Sequence, residues 1–133
     1  MLATGFPFFD DGRSEHEQMP AGLADFLRAG PPPLVFTLGS TAVDLSVRFY
    51  EESLAAARSL RQRAVLLAGS EGRRALPVDS PDHLVLDYAP HGALFPAASV
   101  IVHSGGIGTL AQALRSGRPQ LVVPFGFDQP DNA

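Results

Sequence analysis

Five short apolar runs, separated by segments with helical spacing, constrain the fold of this chain more than any other feature. The runs are LVFTL at 34–38, AVLLAG at 64–69, HLVLDY at 83–88, SVIVH at 99–103 and QLVVPF at 120–125. Short apolar runs of this kind are typical of strands buried in a parallel sheet. Strands that alternate with helices form such a sheet with helices on both faces. The sequence therefore predicts an α/β, Rossmann-like fold.

The segments between the runs supply the helices. Residues 44–60 repeat apolar side chains at intervals of three and four, which predicts a helix with one buried face. The same spacing recurs over residues 107–114. PAGLADFLRAG at 20–30 predicts a short helix, and DQPDNA at 128–133 predicts the start of another.

Domain organisation follows from this pattern. Residues 1–19 show no helical or strand period, so we interpret them as an interdomain linker or extended arm. Residues 20–133 then form one domain, of a size that a single core can stabilise. Ligands of open parallel sheets bind beyond the carboxyl ends of the strands. The loops expected at that edge are 39–41, 69–72, 88–92, 103–108 and 125–131.

Composition excludes several classes of protein. The 133 residues carry a net charge of −4 and scattered arginines, which argues against a nucleic-acid-binding surface. Without cysteine there is no disulfide framework and no thiolate metal site, and the histidines show no metal-ligand spacing, so we expect no metal. No apolar stretch approaches the roughly 20 residues of a bilayer span. These features predict a cytoplasmic protein with no integral membrane segment.

A glycine-rich loop, HSGGIGT at 103–109, lies between a predicted buried strand and a predicted helix. The amino end of a helix presents unpaired N–H groups that favour anions, and glycine lets those groups approach a ligand closely. A phosphate or diphosphate suits this arrangement. The alternative is a tight strand-to-helix turn whose histidine makes only local contacts. Physical reasoning from these residues leaves both interpretations open.

The stretch from HSGGIGT to DQPDNA at 103–133 resembles the donor-binding signature of family 1 glycosyltransferases, of the bacterial macrolide, antibiotic and sterol type. The matching residues are His103, Gly105, Gly106, Gly108, Thr109, Gly117, Pro119, Pro124, Asp128, Gln129, Asn132 and Ala133. The resemblance implies the C-terminal, donor-binding lobe of the two-lobed GT-B fold. It also implies that this lobe is incomplete at its C-terminal end.

The resemblance also implies a set of ligand contacts. Residues expected at the donor diphosphate are His103, Gly105, Gly106, Gly108, Thr109 and Ser40. Asp128 and Gln129 are expected to hold the sugar hydroxyls, although DQPDNA can equally be a helix start that Asp128 caps. Tyr88 and His91 are expected at the base, where Tyr88 can instead be a half-buried residue at a strand end. Ser40 has a comparable alternative as a turn or cap residue.

The implied reaction transfers a hexose, with inversion, from a UDP- or dTDP-sugar to a hydroxyl of a small molecule such as a natural product, sterol or lipid. Its general base belongs to the N-terminal acceptor lobe, so the resemblance implies no catalytic residue in this chain. We expect no cofactor besides the nucleotide-sugar substrate. The partners would be that donor, the acceptor and an acceptor lobe in cis or in trans. Two alternatives remain, a donor-lobe subunit of a two-chain enzyme and a non-catalytic nucleotide-sugar-binding module.

Overall fold

A computed structural model describes residues 6, 8, 19–39, 46–76 and 80–133. Most of the predicted linker, and Ser40 with its predicted diphosphate contact, lie outside these residues. The helices are α1 (Leu23–Arg28), α2 (Ser46–Ser59), α3 (Gly69–Ala75), α4 (His91–Leu94) and α5 (Ile107–Ser116). The strands are β1 (Leu34–Thr37), β2 (Ala64–Leu67), β3 (His83–Leu86), β4 (Val100–His103) and β5 (Gln120–Val122). Two 3-10 turns cover Phe95–Ala97 and Gln129–Asn132.

The five strands form one sheet in the order β3-β2-β1-β4-β5, and every pair is parallel. This arrangement confirms the Rossmann-like prediction. The chain builds outward in one direction from β1 to β3 and then crosses to the other side of β1 for β4. Thr37 and His103 are register partners at the carboxyl ends of β1 and β4. Open sheets bind ligands at such a reversal of strand order.

Two apolar clusters cover the two faces of the sheet, as predicted. Leu54 and Ala57 of α2 pack with β1 and β2 side chains such as Phe36 and Leu66 on one face. On the other face the cluster joins α1, α4 and α5 to the sheet; its buried members include Leu23, Leu94, Phe95, Ile101 and Ala113. Because the sheet is buried on both faces, the strands appear in the sequence as unbroken apolar runs and not as alternating apolar and polar residues.

The strands are shorter than the apolar runs that predicted them. The prediction for the fifth strand reaches residue 125, but β5 ends at Val122. Val123 still donates its N–H to the carbonyl of His103, and the next residue, Pro124, has no N–H to continue the ladder. Apolar composition marks burial, whereas the end of a strand is set by where the hydrogen-bonded ladder stops.

Helix boundaries also differ from the predictions. Gly22 has a φ of +83°, so the first helix begins at Leu23 instead of residue 20. The short helices α3 and α4 fall in segments that were predicted as loops, because seven and four residues are too few to show an apolar period. At the C-terminal end, the predicted helix start is a 3-10 turn.

Candidate functional site

A cavity of about 700 Å³ opens beyond the carboxyl ends of the strands. Its described lining comes from the ends of β1, β2 and β3, from α2, α3 and α4, and from the amino end of α5. These residues are Thr37, Leu38, Gly39, Tyr50, Leu67, Ala68, Gly69, Ser70, Glu71, Asp87, Tyr88, His91, Gly108 and Thr109. The fold therefore brings four of the predicted site residues to one cavity, namely Tyr88, His91, Gly108 and Thr109.

Tyr50 joins two strand ends beneath this cavity. Its hydroxyl accepts a hydrogen bond from the N–H of Leu38 at 3.1 Å and donates one to the carbonyl of Leu67. Burial raises the pKa of Tyr50 to about 12, so the hydroxyl stays protonated and can donate. The sequence indicated only an apolar helix face at this position. The hydrogen bonds of the hydroxyl depend on the positions of two strand ends in the fold, which the sequence alone does not give.

The outer wall of the cavity is aromatic. Tyr88 is 63% exposed, so one face of its ring is available to a planar ligand. His91 stacks on Phe95 with ring centroids 4.4 Å apart and lies 6.5 Å from the Tyr88 ring. Burial, with a smaller contribution from His103, lowers the pKa of His91 to about 4. The imidazole is therefore neutral near pH 7 and behaves as an extension of the aromatic wall.

The amino end of α5 enters the cavity at Gly108 and Thr109. The N-cap residue of α5 is Gly106, which has no side chain with which to bond the N–H groups of the first turn. A Cβ at Gly106 or Gly108 would meet no atom within 4 Å. The glycines here leave open space at a helix end, which is the arrangement that the anion-site interpretation requires.

Ser104 connects this loop to the end of β1. Its buried hydroxyl donates to the carbonyl of Leu38 at 2.9 Å. The carbonyl of Leu38 and its N–H, which Tyr50 holds, are thus both fixed next to Gly39 of the cavity lining. Ser104 therefore sets the spacing of two cavity loops, a structural task that its place in the glycine-rich run did not reveal.

His103 lies inside the fold with no exposed surface. Its Nδ1 accepts a hydrogen bond from the N–H of Gly105 at 3.0 Å, and its Nε2 is 2.8 Å from Oε1 of Gln120. Burial lowers the pKa of His103, an effect that the hydrogen bond to Gln120 partly opposes. Both ring nitrogens therefore have partners within the protein in this structure. The predicted contact between His103 and a diphosphate stays a prediction.

The turn after β5 holds the predicted sugar-binding pair. Gln129 is buried, and its Oε1 accepts hydrogen bonds from the N–H groups of Phe125 at 2.8 Å and Gly126 at 3.3 Å. Asp128 is exposed and makes no side-chain capping bond to the backbone, so the alternative role as a helix cap is not observed. Their contact with a sugar stays a prediction.

Asn132 is a residue whose role the sequence interpretation missed. Its Nδ2 donates to the carboxylate of Asp128 at 2.9 Å and to the carbonyl of Gly105 at 3.0 Å. One amide group thus ties the glycine-rich loop to the turn that carries Asp128. The only signal in the sequence was its place in the resemblance, which gave it no function.

The part of the chain that the structure describes has neither a metal-ligating cluster nor a helix suited to span a membrane. Those residues contain no group of three or more His, Asp or Glu side chains placed to hold a metal ion. None of their helices combines the length and the apolar character that crossing a bilayer requires.

Residues 52–133 match the family described as erythromycin biosynthesis protein CIII-like, C-terminal domain. The chain belongs to this glycosyltransferase family. Over 109 residues this chain is 44% identical to O-mycaminosyltylonolide 6-deoxyallosyltransferase of Streptomyces fradiae, covering 81% of this chain and 25% of that protein. Over 127 residues it is 33% identical to a sterol 3-beta-glucosyltransferase of Arabidopsis thaliana, covering 96% of this chain and 20% of the relative.

A solved structure extends the comparison to the fold. The crystal structure of the glycosyltransferase VinC in complex with dTDP matches with a TM-score of 0.64 and 31% identity, covering 84% of this chain and 28% of that one. This chain thus has the Rossmann-like fold of one part of a GT-B glycosyltransferase, as the resemblance implied. The chain spans about a quarter of the length of the first relatives it matches.

Proposed function

We propose that this domain binds a UDP- or dTDP-hexose and that the complete protein transfers the hexose to a hydroxyl of a small molecule. The observation that carries the proposal is the position of the cavity. It combines an aromatic wall, a helix amino end with glycine at the N-cap and open space at Gly108, next to the reversal of strand order. The dTDP in the VinC structure supports a nucleoside diphosphate as the ligand class.

Each part of the cavity suits one part of such a donor. The exposed ring of Tyr88 offers a stacking surface for the base, with His91 behind it. The first-turn N–H groups of α5 and the hydroxyl of Thr109 suit the diphosphate, because a helix amino end stabilises negative charge. Glu71 and Asp87 in the same lining offer oxygen acceptors to ligand hydroxyls, and Asp87 is paired with Arg73 at 3.8 Å.

We assign the chemical step to the complete protein. Displacement at the anomeric carbon needs a general base beside the acceptor hydroxyl, and we assign that base to an acceptor lobe. The contribution of this domain would be electrostatic, since donors at α5 would stabilise the charge that develops on the departing diphosphate. The proposed function therefore includes a small-molecule acceptor and an acceptor lobe as partners.

An NMR titration with UDP, dTDP and uridine tests the proposal. UDP or dTDP should shift the amide signals of Gly106, Gly108 and Thr109, whereas uridine should act mainly around Tyr88. Tyr88→Phe keeps the ring and serves as the matched control for Tyr88→Ala. The alanine variant should lose affinity for all three ligands, by roughly 1–3 kcal/mol for a lost stacking contact. Shifts confined to other faces of the folded domain would refute the proposed site.

A further inference from the structure

The hydrogen bonds around the His103 ring are consistent with one tautomer. A backbone N–H can only donate, so Nδ1, which faces the N–H of Gly105 at 3.0 Å, is the acceptor. Nε2 therefore carries the proton of the neutral ring, and it faces an oxygen, Oε1 of Gln120, at 2.8 Å. Gln120 can accept this proton and so stabilises the ring in the orientation in which Nδ1 holds Gly105.

Gln120 is well placed for this task because of the sheet register. β5 pairs with β4 so that Gln120 is opposite Ile101 and Val122 is opposite His103. Register partners project to the same face, so Gln120, Val122 and His103 share one side of the sheet. Val122 limits the space at Gly105, where an added Cβ would lie 2.8 Å from its Cγ1. One face of β5 therefore contacts both the ring and the glycine that the ring holds.

Gly105 is the residue of the glycine-rich loop that the His103 ring holds. Its φ is +90°, a conformation that glycine adopts readily and other residues rarely do. His103 holds its N–H, and Asn132 holds its carbonyl at 3.0 Å. With both backbone polar groups fixed, the direction in which the chain enters α5 is fixed as well. That direction determines where the first-turn N–H groups at the amino end of α5 point.

We propose that Gln120 is a positioning residue for the diphosphate, acting through the His103 ring on the backbone of Gly105. The inference rests on the proposed function, because it takes the amino end of α5 to be the diphosphate site. It goes further in giving a task to a residue outside the cavity lining. Loss of the Gln120 oxygen leaves the buried Nε2 proton without an acceptor, so the ring loses the contact that holds it in the orientation in which Nδ1 accepts from the N–H of Gly105.

The test compares Gln120→Leu, which removes the acceptor, with Gln120→Glu, which keeps one. Measurements at about pH 8, above the ordinary histidine pKa of roughly 6.5, keep the ring neutral. Gln62→Leu is the matched control, since Gln62 is an exposed glutamine between α2 and β2. Histidine ring ¹⁵N shifts report the tautomer, with His103→Asn used to assign the signal. Calorimetry measures the affinities for UDP and uridine.

The expected result has three parts. Gln120→Leu shifts the ring ¹⁵N signals of His103 and the Gly105 amide signal. Its affinity for UDP falls roughly three- to tenfold, as for the loss of one neutral hydrogen bond, whereas its affinity for uridine is unchanged. Gln120→Glu and Gln62→Leu retain the tautomer and the affinity for UDP. If the leucine variant does not fold, Gln120→Asn, one methylene shorter, gives the same comparison.

Two outcomes overturn the inference. One is a Gln120→Leu variant with an intact Nε2–H tautomer and unchanged UDP affinity. The other is an equal loss of UDP and uridine affinity, which would show a general packing role. A wild-type chain that binds neither UDP nor dTDP refutes the proposed function instead. In that case the tautomer and the Gly105 amide shift still decide whether Gln120 controls the loop.

Discussion

Burial sets the charge state of the two histidines nearest the cavity. Both His91 and His103 have lowered pKa values, mainly because the folded protein disfavours the charged ring. The pKa of His91 is about 4, so the unfolded chain binds a proton first as the pH falls. The contribution of His91 to stability is therefore complete above about pH 6.5 and is lost progressively down to about pH 4.

We expect His91→Asn to have a weaker pH dependence of stability than the wild-type chain. Between neutral pH and about pH 4, the wild-type chain should lose at most roughly 3 kcal/mol more of its free energy of unfolding than the variant, because one pKa unit corresponds to about 1.4 kcal/mol. Urea denaturation over this pH range measures it. Identical slopes for the two proteins would mean that His91 titrates normally in the folded state.

Asp128 gives a second prediction for a single residue. Its carboxylate is exposed and is oriented by Asn132, so it is free to accept hydrogen bonds from a sugar. We expect Asp128→Ala to keep its affinity for UDP but to lose any preference for UDP-glucose over UDP. The nearby exposed carboxylate of Asp131 provides the control variant Asp131→Ala, which should behave as wild type. Calorimetry with both ligands measures the preference, and a preference that survives in Asp128→Ala contradicts the sugar contact.

At the scale of elements, the amino end of α5 can be tested without disturbing the fold. Gly108 lies within the helix, where alanine is preferred over glycine by roughly 1 kcal/mol, and an added Cβ meets no protein atom. Gly108→Ala should therefore keep or raise thermal stability while weakening UDP binding, because the methyl group would occupy ligand space. Gly126→Ala, also unobstructed but outside the cavity lining, is the control. Undiminished UDP affinity in Gly108→Ala would exclude a close approach of the diphosphate.

The attachment of α1 depends on one buried arginine next to β2. The Arg63 guanidinium donates to the carbonyl of Pro31 at 3.0 Å and to that of Phe26, and it stacks over the Phe26 ring at 3.9 Å. We expect Arg63→Ala to lower the free energy of unfolding by roughly 2–4 kcal/mol, since hydrogen bonds from charged groups are strong. Chemical denaturation measures the loss. Arg74→Ala, at an exposed position on α3, should change stability little, and equal effects would argue against this role.

At the scale of the whole molecule, we expect the 133-residue chain by itself to transfer no sugar. Donor, acceptor and base must be held in one geometry, which can account for roughly 7–11 kcal/mol of a barrier. The matched part is 25% of one relative named above and 20% of the other, so most of each relative lies outside the match. Adding the N-terminal half of a close relative to the chain should restore transfer, measured as release of UDP or dTDP. Robust transfer by the chain alone would require a general base within it.

The sequence by itself determined the parallel sheet of five strands, the longer helices α2 and α5, and the place of the glycine-rich loop. Apolar runs and helical periods are local properties, so they can be recognised before any contact is known. The same locality explains the errors. α3 and α4 are too short to show a period, and the end of β5 depends on a hydrogen-bonded partner strand.

Only the tertiary structure decided which side chains act together at the site. The Tyr50 hydroxyl is hydrogen-bonded to the ends of two strands, and the Ser104 hydroxyl donates to a carbonyl 66 residues earlier in the chain. The Gln120 side chain lies within hydrogen-bond distance of the His103 ring, 17 residues away. The resemblance implied a diphosphate contact for His103, which stays a prediction; the fold showed in addition that the ring is buried and that both of its nitrogens have partners within the protein. Hydrogen-bond partners of buried polar groups are fixed by strand register and loop packing, and neither can be read from residue types along the chain.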